Sequence, residues 1–263
     1  MSNREKYKFD DFTLGNYKRL IDLAKDRGFE FILHKDDFIA DRKDVIWRHD
    51  VEFSPDIALK MAEIEKEAGV QATYFWQLHS DYYNTVSHYF TRLLKKIKSL
   101  GHHIGLHFDC HYYNIKSETQ LDKYIIRDKE FLEDALGDDI VIDTFSFHNT
   151  NAFVLNCKAY RYGSLINVYS SYFQEHYSYC ADSTGIWRYD RLEDVLKNDN
   201  VQHLQVLTHD GMWSEHVMSP HKRILTCIQS EADRQKWSYV LQLPKTGNIN
   251  VDDDEINPQR INL

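Results

Sequence analysis

From Asn16 to Arg27 apolar residues recur at helical spacing, with Tyr17, Leu20, Ile21, Leu23 and Ala24 on one face and Gly28 as the stop. Ile32 to Phe38 leads into a strong strand, Val45 to Phe53. Ser54-Pro55-Asp56 then reads as a helix start, with Ser as N-cap, Pro at the first helical position and Asp at the positive end of the dipole. That helix is expected to turn Ile57, Met61, Ile64 and Ala68 inward and to end at Gly69. The alternation continues with a strand over 72–76, a helix over 87–100, a strand over 103–107, a helix over 118–136 closed by Gly137, and a strand over 140–148. Weaker strands at 165–169 and 177–182, a short helix at 192–197, a strand at 203–209 and a final helix at 219–237 complete it. Strand and helix taken in turn argue for a parallel α/β sheet or barrel, read as one domain over residues 1–263. The tail from about 244 to 263, with its Asp252-Asp253-Asp254-Glu255 run, reads as a solvated extension.

Polar residues collect where these strands end. Asp50 and Glu52 lie two apart at the close of an apolar run, so in a strand they face one side, one able to hold a metal and the other to take a proton. His107 and His111 are four apart, and on helical or tightly turned backbone both imidazoles would reach one ion. His148, Asp182 and His209 also fall at or just past strand ends, the face on which α/β barrels build active sites.

Composition narrows the partners. With 32 Lys and Arg against 41 Asp and Glu, the net charge of −9 gives no electrostatic reason to expect nucleic acid or an anionic membrane. The chain contains no run of 18 apolar residues, so no membrane insertion is expected. Four cysteines without CxxC spacing and an N-terminal stretch without an apolar core point to reduced thiols and a cytoplasmic location. The 17 Tyr and 5 Trp suit sugar stacking as well as core packing. His49 is expected to pack beneath the site, and His102-His103 and Lys95-Lys96 to lie on solvated surface.

Taken together these motifs resemble the polysaccharide deacetylases of the NodB-homology group, carbohydrate esterase family 4, in their divergent branch associated with surface-polysaccharide genes. Arg48-His49-Asp50-Val51-Glu52-Phe53-Ser54-Pro55 is similar to that branch's first motif, and Gly101-His102-His103-Ile104-Gly105-Leu106-His107 followed by His111 to the second. Phe145-Ser146-Phe147-His148, Tyr179-Cys180-Ala181-Asp182-Ser183 with Trp187-Arg188, and Leu207-Thr208-His209 resemble the third, fourth and fifth, so the likeness covers about 40–215. It implies a distorted (β/α) barrel of about seven strands, Asp50 as general base, Glu52, His107 and His111 as ligands of a divalent ion, zinc being expected, and His209 as general acid held by Asp182. His148, Arg48, Trp187 and Arg188 become candidates for substrate contact or an alternative ligand. Three departures stand out. Glu52 replaces the usual Asp, His148-Asn149 replaces an Arg and Pro-Tyr segment, and Asp210-Gly211-Met212-Trp213 follows His209 where Pro and paired Trp are common.

The reaction implied is metal-dependent removal of an N-acyl group from an amino sugar linked to a nucleotide, lipid or oligosaccharide, during bacterial O-antigen or capsule synthesis. Alternatives are a catalytically impaired carbohydrate-binding or regulatory homologue and a metal-dependent hydrolase of a non-sugar amide. Asp50 and Glu52 could exchange roles or pair with Arg48 or Arg42, His148 could stand in for His111 or be a hydrogen-bonded core residue, and Asp182 with Arg188 could be a plain ion pair.

Overall fold

The computed structural model describes residues 1–137 and 140–246, with side chains through Gln242. Seven parallel strands form one curled sheet: β2 (Asp44–Val51), β3 (Thr73–Gln77), β4 (His103–Phe108), β5 (Thr144–Phe147), β7 (Leu165–Asn167), β8 (Ser178–Ala181) and β9 (His203–His209). Their order is β7-β5-β4-β3-β2-β9-β8, with β6 (Arg161–Tyr162) antiparallel outside β7 and an eighth parallel strand, β1 (Glu30–Ile32), beside the start of β2. The fold is α/β, a barrel left open between β7 and β8, as the alternation predicts.

Alternation within each strand separates two interiors. On β2, Val45, Trp47 and Val51 join the large apolar cluster under the helices, whereas Ile46 belongs to a small second cluster with Ile32, Ile166, Phe173 and Tyr177. Arg48 and Asp50 share the side of Ile46, so the inside of the curl becomes polar toward the strand ends.

Helix ends follow the expected signals. Leu14–Asp26 is capped by Thr13, Pro55–Ala68 by Ser54 with Gly69 left-handed at its end, and Glu118–Leu136 starts on Ser117. The inward face of Pro55–Ala68 is rotated from expectation, with Ala58, Met61, Ala62 and Glu65 buried. Glu65 is fully buried because its carboxylate accepts from Tyr17 OH at 2.5 Å and Tyr74 OH at 2.7 Å, and lies 2.6 Å from His49 Nε2. His49 therefore packs beneath the site, as read. His102 and His103 correct the surface reading: both are buried, His102 Nε2 lying 2.9 Å from Ala62 O and His103 Nε2 2.6 Å from Asp143 Oδ1.

The strand expected over 140–148 is confined to Thr144–Phe147. The last helix runs on to Thr246, so 244–246 are helical and the rest of the expected tail lies outside the described residues.

Candidate active site

Register brings the chemistry together. Asp50 on β2 is paired with His209 on β9, and His107 on β4 with Ser146 on β5. Same-face spacing adds Glu52 just past β2 and His148 just past β5. Glu52 Oε1 lies 2.9 Å from both His107 Nε2 and His148 Nδ1, and the two ring nitrogens are 3.1 Å apart. A carboxylate oxygen and two imidazole nitrogens converging this way, all within 4.8 Å of one another, fit the donor set of a divalent transition ion with positions left open. Burial alone would raise the Glu52 carboxyl, but the His107 and His148 imidazoles beside it hold it well below the usual range; burial alone would lower the His148 imidazole, and Glu52 raises it above its ordinary value.

His111 lines the same cavity but stands outside this cluster. The same-face argument for i and i+4 needs helical or tightly turned backbone from 107 onward, yet β4 runs to Phe108 and the turn begins only at Cys110. His111 is exposed and its Nε2 donates to Asn149 O at 2.7 Å, so the expected trio of Glu52, His107 and His111 is replaced in space by Glu52, His107 and His148. Asn149, left-handed at φ 45, also touches His148 Nε2 at 2.8 Å with its amide. It is the amide nitrogen that faces the ring, so Asn149 donates to His148 Nε2 and holds the ring from the side away from Glu52.

The base and acid candidates sit on either side of this cluster. Asp50 is buried; Ser146 Oγ donates to its Oδ1 at 3.0 Å, and Arg48 Nη2 lies 4.0 Å from Oδ2. Asp182 is fully buried and accepts from Trp213 Nε1 at 2.9 Å and from the His209 backbone N–H at 3.0 Å. Its other oxygen lies 2.6 Å from His209 Nδ1. Burial alone would lower the His209 imidazole, but Asp182 reverses this and raises it to about 10, so the ring is protonated at neutral pH.

Asp50, Glu52, His148 and His209 line a cavity of about 1160 Å³ with Asp81, Tyr82, Asp109, Tyr169, Tyr179, Arg188 and Tyr189. Arg188 is exposed and is not ion-paired to Asp182, nor to any acid among the described residues. Arg48 and Trp187 are placed outside this lining, correcting their reading as substrate contacts. Arg48 is buried below Asp50, donates to Tyr169 OH at 3.0 Å and packs against the rings of Phe75 and Tyr169. Trp187 donates to Asp11 Oδ2 at 3.0 Å and packs on Phe12 and Trp213.

Several supporting residues went unassigned in sequence. Asp210 is fully buried and accepts from three successive amides, Glu52 at 2.9 Å, Phe53 at 3.1 Å and Ser54. It thereby fixes the turn that carries Glu52. Its position directly after His209, in a departure from the family pattern, was the available signal. Ser146, two before His148 on a strand, was legible by the same spacing that paired Asp50 with Glu52.

No protein-family model and no curated protein matches the sequence. Among solved structures the chain is similar to a deacetylase from Streptococcus pyogenes in complex with acetate, at 13% identity and TM-score 0.43, covering 87% of this chain and 92% of that one. It is also similar to a family 4 carbohydrate esterase from Streptococcus mutans (14% identity, TM-score 0.43, 86% and 91% covered). A third is a family 4 carbohydrate esterase from Bacillus anthracis (17% identity, TM-score 0.40, 82% and 84% covered). A family 4 pseudoenzyme from the same organism also matches, at 13% identity and TM-score 0.41 over 74% of this chain and 63% of its own.

Proposed function

We propose that this chain is a metal-dependent hydrolase that removes an N-acyl group, acetyl in the simplest case, from an amino sugar used in bacterial surface-polysaccharide synthesis. The observation that carries this reading is the meeting of three devices at one cavity: the Glu52–His107–His148 donor set, the buried Asp50 carboxylate and the His209–Asp182 pair. When bound, a divalent ion such as zinc lowers the pKa of water and polarises the amide carbonyl. Asp50 accepts the proton of the attacking water through Oδ2, which takes no hydrogen bond from the described residues. His209, protonated and held through Nδ1 by Asp182, delivers its Nε2 proton to the departing amine. Amide C–N cleavage by water then yields a carboxylate and a free amino sugar. Tyrosines in the lining offer faces for the sugar, and Arg188 supplies the cavity's single Lys or Arg side chain among the described residues.

The test pairs elemental analysis with amine release from a panel of N-acylated hexosamines, free and carrier-linked. One ion per chain, lost in His148→Ala and kept in His111→Ala, is expected. Asp50→Asn should retain the ion and lose activity by about 10²–10⁴-fold. Loss of the ion in Asp50→Asn makes Asp50 a ligand, and sugar binding without release in the loaded wild type favours a carbohydrate-binding protein instead.

A further inference from the structure

We propose that Ser146 is a positioning residue that sets the tautomer of His107 and the orientation of Asp50 with one hydroxyl, an inference that rests on the metal-hydrolase reading. Ser146 is fully buried on β5, its Oγ 2.6 Å from His107 Nδ1 and 3.0 Å from Asp50 Oδ1. A hydroxyl has one proton to give, and an ionised carboxylate can only accept. The Ser146 proton therefore goes to Asp50, so the same oxygen receives the hydrogen of His107 Nδ1–H. That places the free lone pair of His107 on Nε2, the atom facing Glu52 and His148, which is the arrangement that a cation bound between them would require. The opposite tautomer would draw the hydroxyl proton to Nδ1 and leave two buried oxygens 3.0 Å apart with no hydrogen between them, an uncompensated contact. Asp50 does not hold the ring unaided, since His107 Nδ1 is 3.7 Å from its nearer oxygen Oδ2. One side chain thus links ligand and base, and neither is oriented independently of the other.

Removing the hydroxyl leaves the Nδ1 donor buried without an acceptor and frees the ring to change tautomer. Outer partners of ligating histidines govern metal affinity by about 10–100-fold. Zinc dissociation constants are to be measured by competition with a chromophoric chelator on the full chain, alongside kcat, KM and thermal unfolding. Ser146→Ala is expected to weaken zinc binding by about 10–100-fold. It should also lower kcat with little change in KM, and Ser146→Thr, which keeps the hydroxyl, should recover most of both. Long-range ¹H–¹⁵N spectra of the zinc-loaded wild type should find the His107 proton on Nδ1. Wild-type zinc affinity in Ser146→Ala, or a His107 proton on Nε2, overturns the proposal while the hydrolase reading stands. Should Ser146→Ala not fold, Ser146→Cys, similar in shape and weak as a hydrogen-bonding group, is held to the same affinity criterion. A wild-type chain that takes up no zinc overturns the hydrolase reading and the role of Ser146 with it.

Discussion

His209 and Asp182 illustrate how one contact sets a protonation state. The imidazole is raised to about 10 against the opposing effect of burial, from an unfolded value of about 6.5. A cationic group whose folded value is raised contributes stability that is complete below about pH 6.5 and is lost as pH climbs through about 10. Asp182→Asn keeps the shape and removes the charge, so its imidazole should titrate much nearer the unfolded value. In chelator-treated protein the gap in melting temperature between wild type and Asp182→Asn is therefore expected to be widest near pH 6 and to narrow toward pH 10. The alkaline limb of kcat/KM should move to lower pH in the variant. A melting gap that widens with rising pH would falsify the assignment of the proton to His209. The same residue pair was readable from its motifs, whereas in the Glu52–His107–His148 cluster His148 was legible only as an alternative to His111. Two histidines four apart presuppose a backbone that turns at the first of them, and His107 lies in a strand that continues through Phe108.

The turn that follows β9 shows what element-scale packing adds. Asp210–Met212 docks on the residues that follow β2, where Asp210 satisfies the amides of Glu52, Phe53 and Ser54. Gly211 permits this approach, since a Cβ there would meet Phe53 atoms at 2.7–2.8 Å. The strands that carry Asp50 and His209 are thus tied at their ends by a single carboxylate. Asp210→Ala would leave three backbone donors without their acceptor and is expected to cost about 3 kcal/mol, given roughly 1–3 kcal/mol per buried group left unpaired. Denaturant unfolding measures that loss, and zinc titration should report weaker binding because Glu52 is no longer held. Unchanged stability together with unchanged affinity would refute this role. Most elements were legible in the sequence because caps and stops mark them, as Ser54-Pro55 and Gly69 do. The burial of Glu65 and His102 was not, because it depends on partners brought in by Tyr17, Tyr74 and Ala62 from other elements. Polarity along one chain says nothing of such distant donors and acceptors.

At the scale of the whole molecule, the half-open barrel confines the chemistry to one polar cavity, and that shape bears on substrate size. Asp50, Glu52, Asp81 and Asp109 line it, and Arg188 is the single Lys or Arg in that lining among the described residues. A net charge of −9 disfavours a long polyanion over the surface, while one exposed guanidinium without an acidic partner in the cavity lining can receive one anionic group. An acylated amino sugar joined to a carrier phosphate combines a neutral amide for the ion and a charge for Arg188. The expected outcome is a higher kcat/KM for a nucleotide-linked N-acyl hexosamine than for the free sugar or for long-chain chitin. Arg188→Gln should reduce the advantage over the free sugar by about tenfold, equivalent to about 1.4 kcal/mol, without lowering turnover of the free sugar. Release of acetate from nucleotide-linked, lipid-linked, free and polymeric substrates, followed side by side for wild type and variant, measures this. Faster turnover of the long polymer, or an Arg188→Gln variant with undiminished preference for the phosphate-bearing substrate, would show that the cavity serves an extended neutral chain instead.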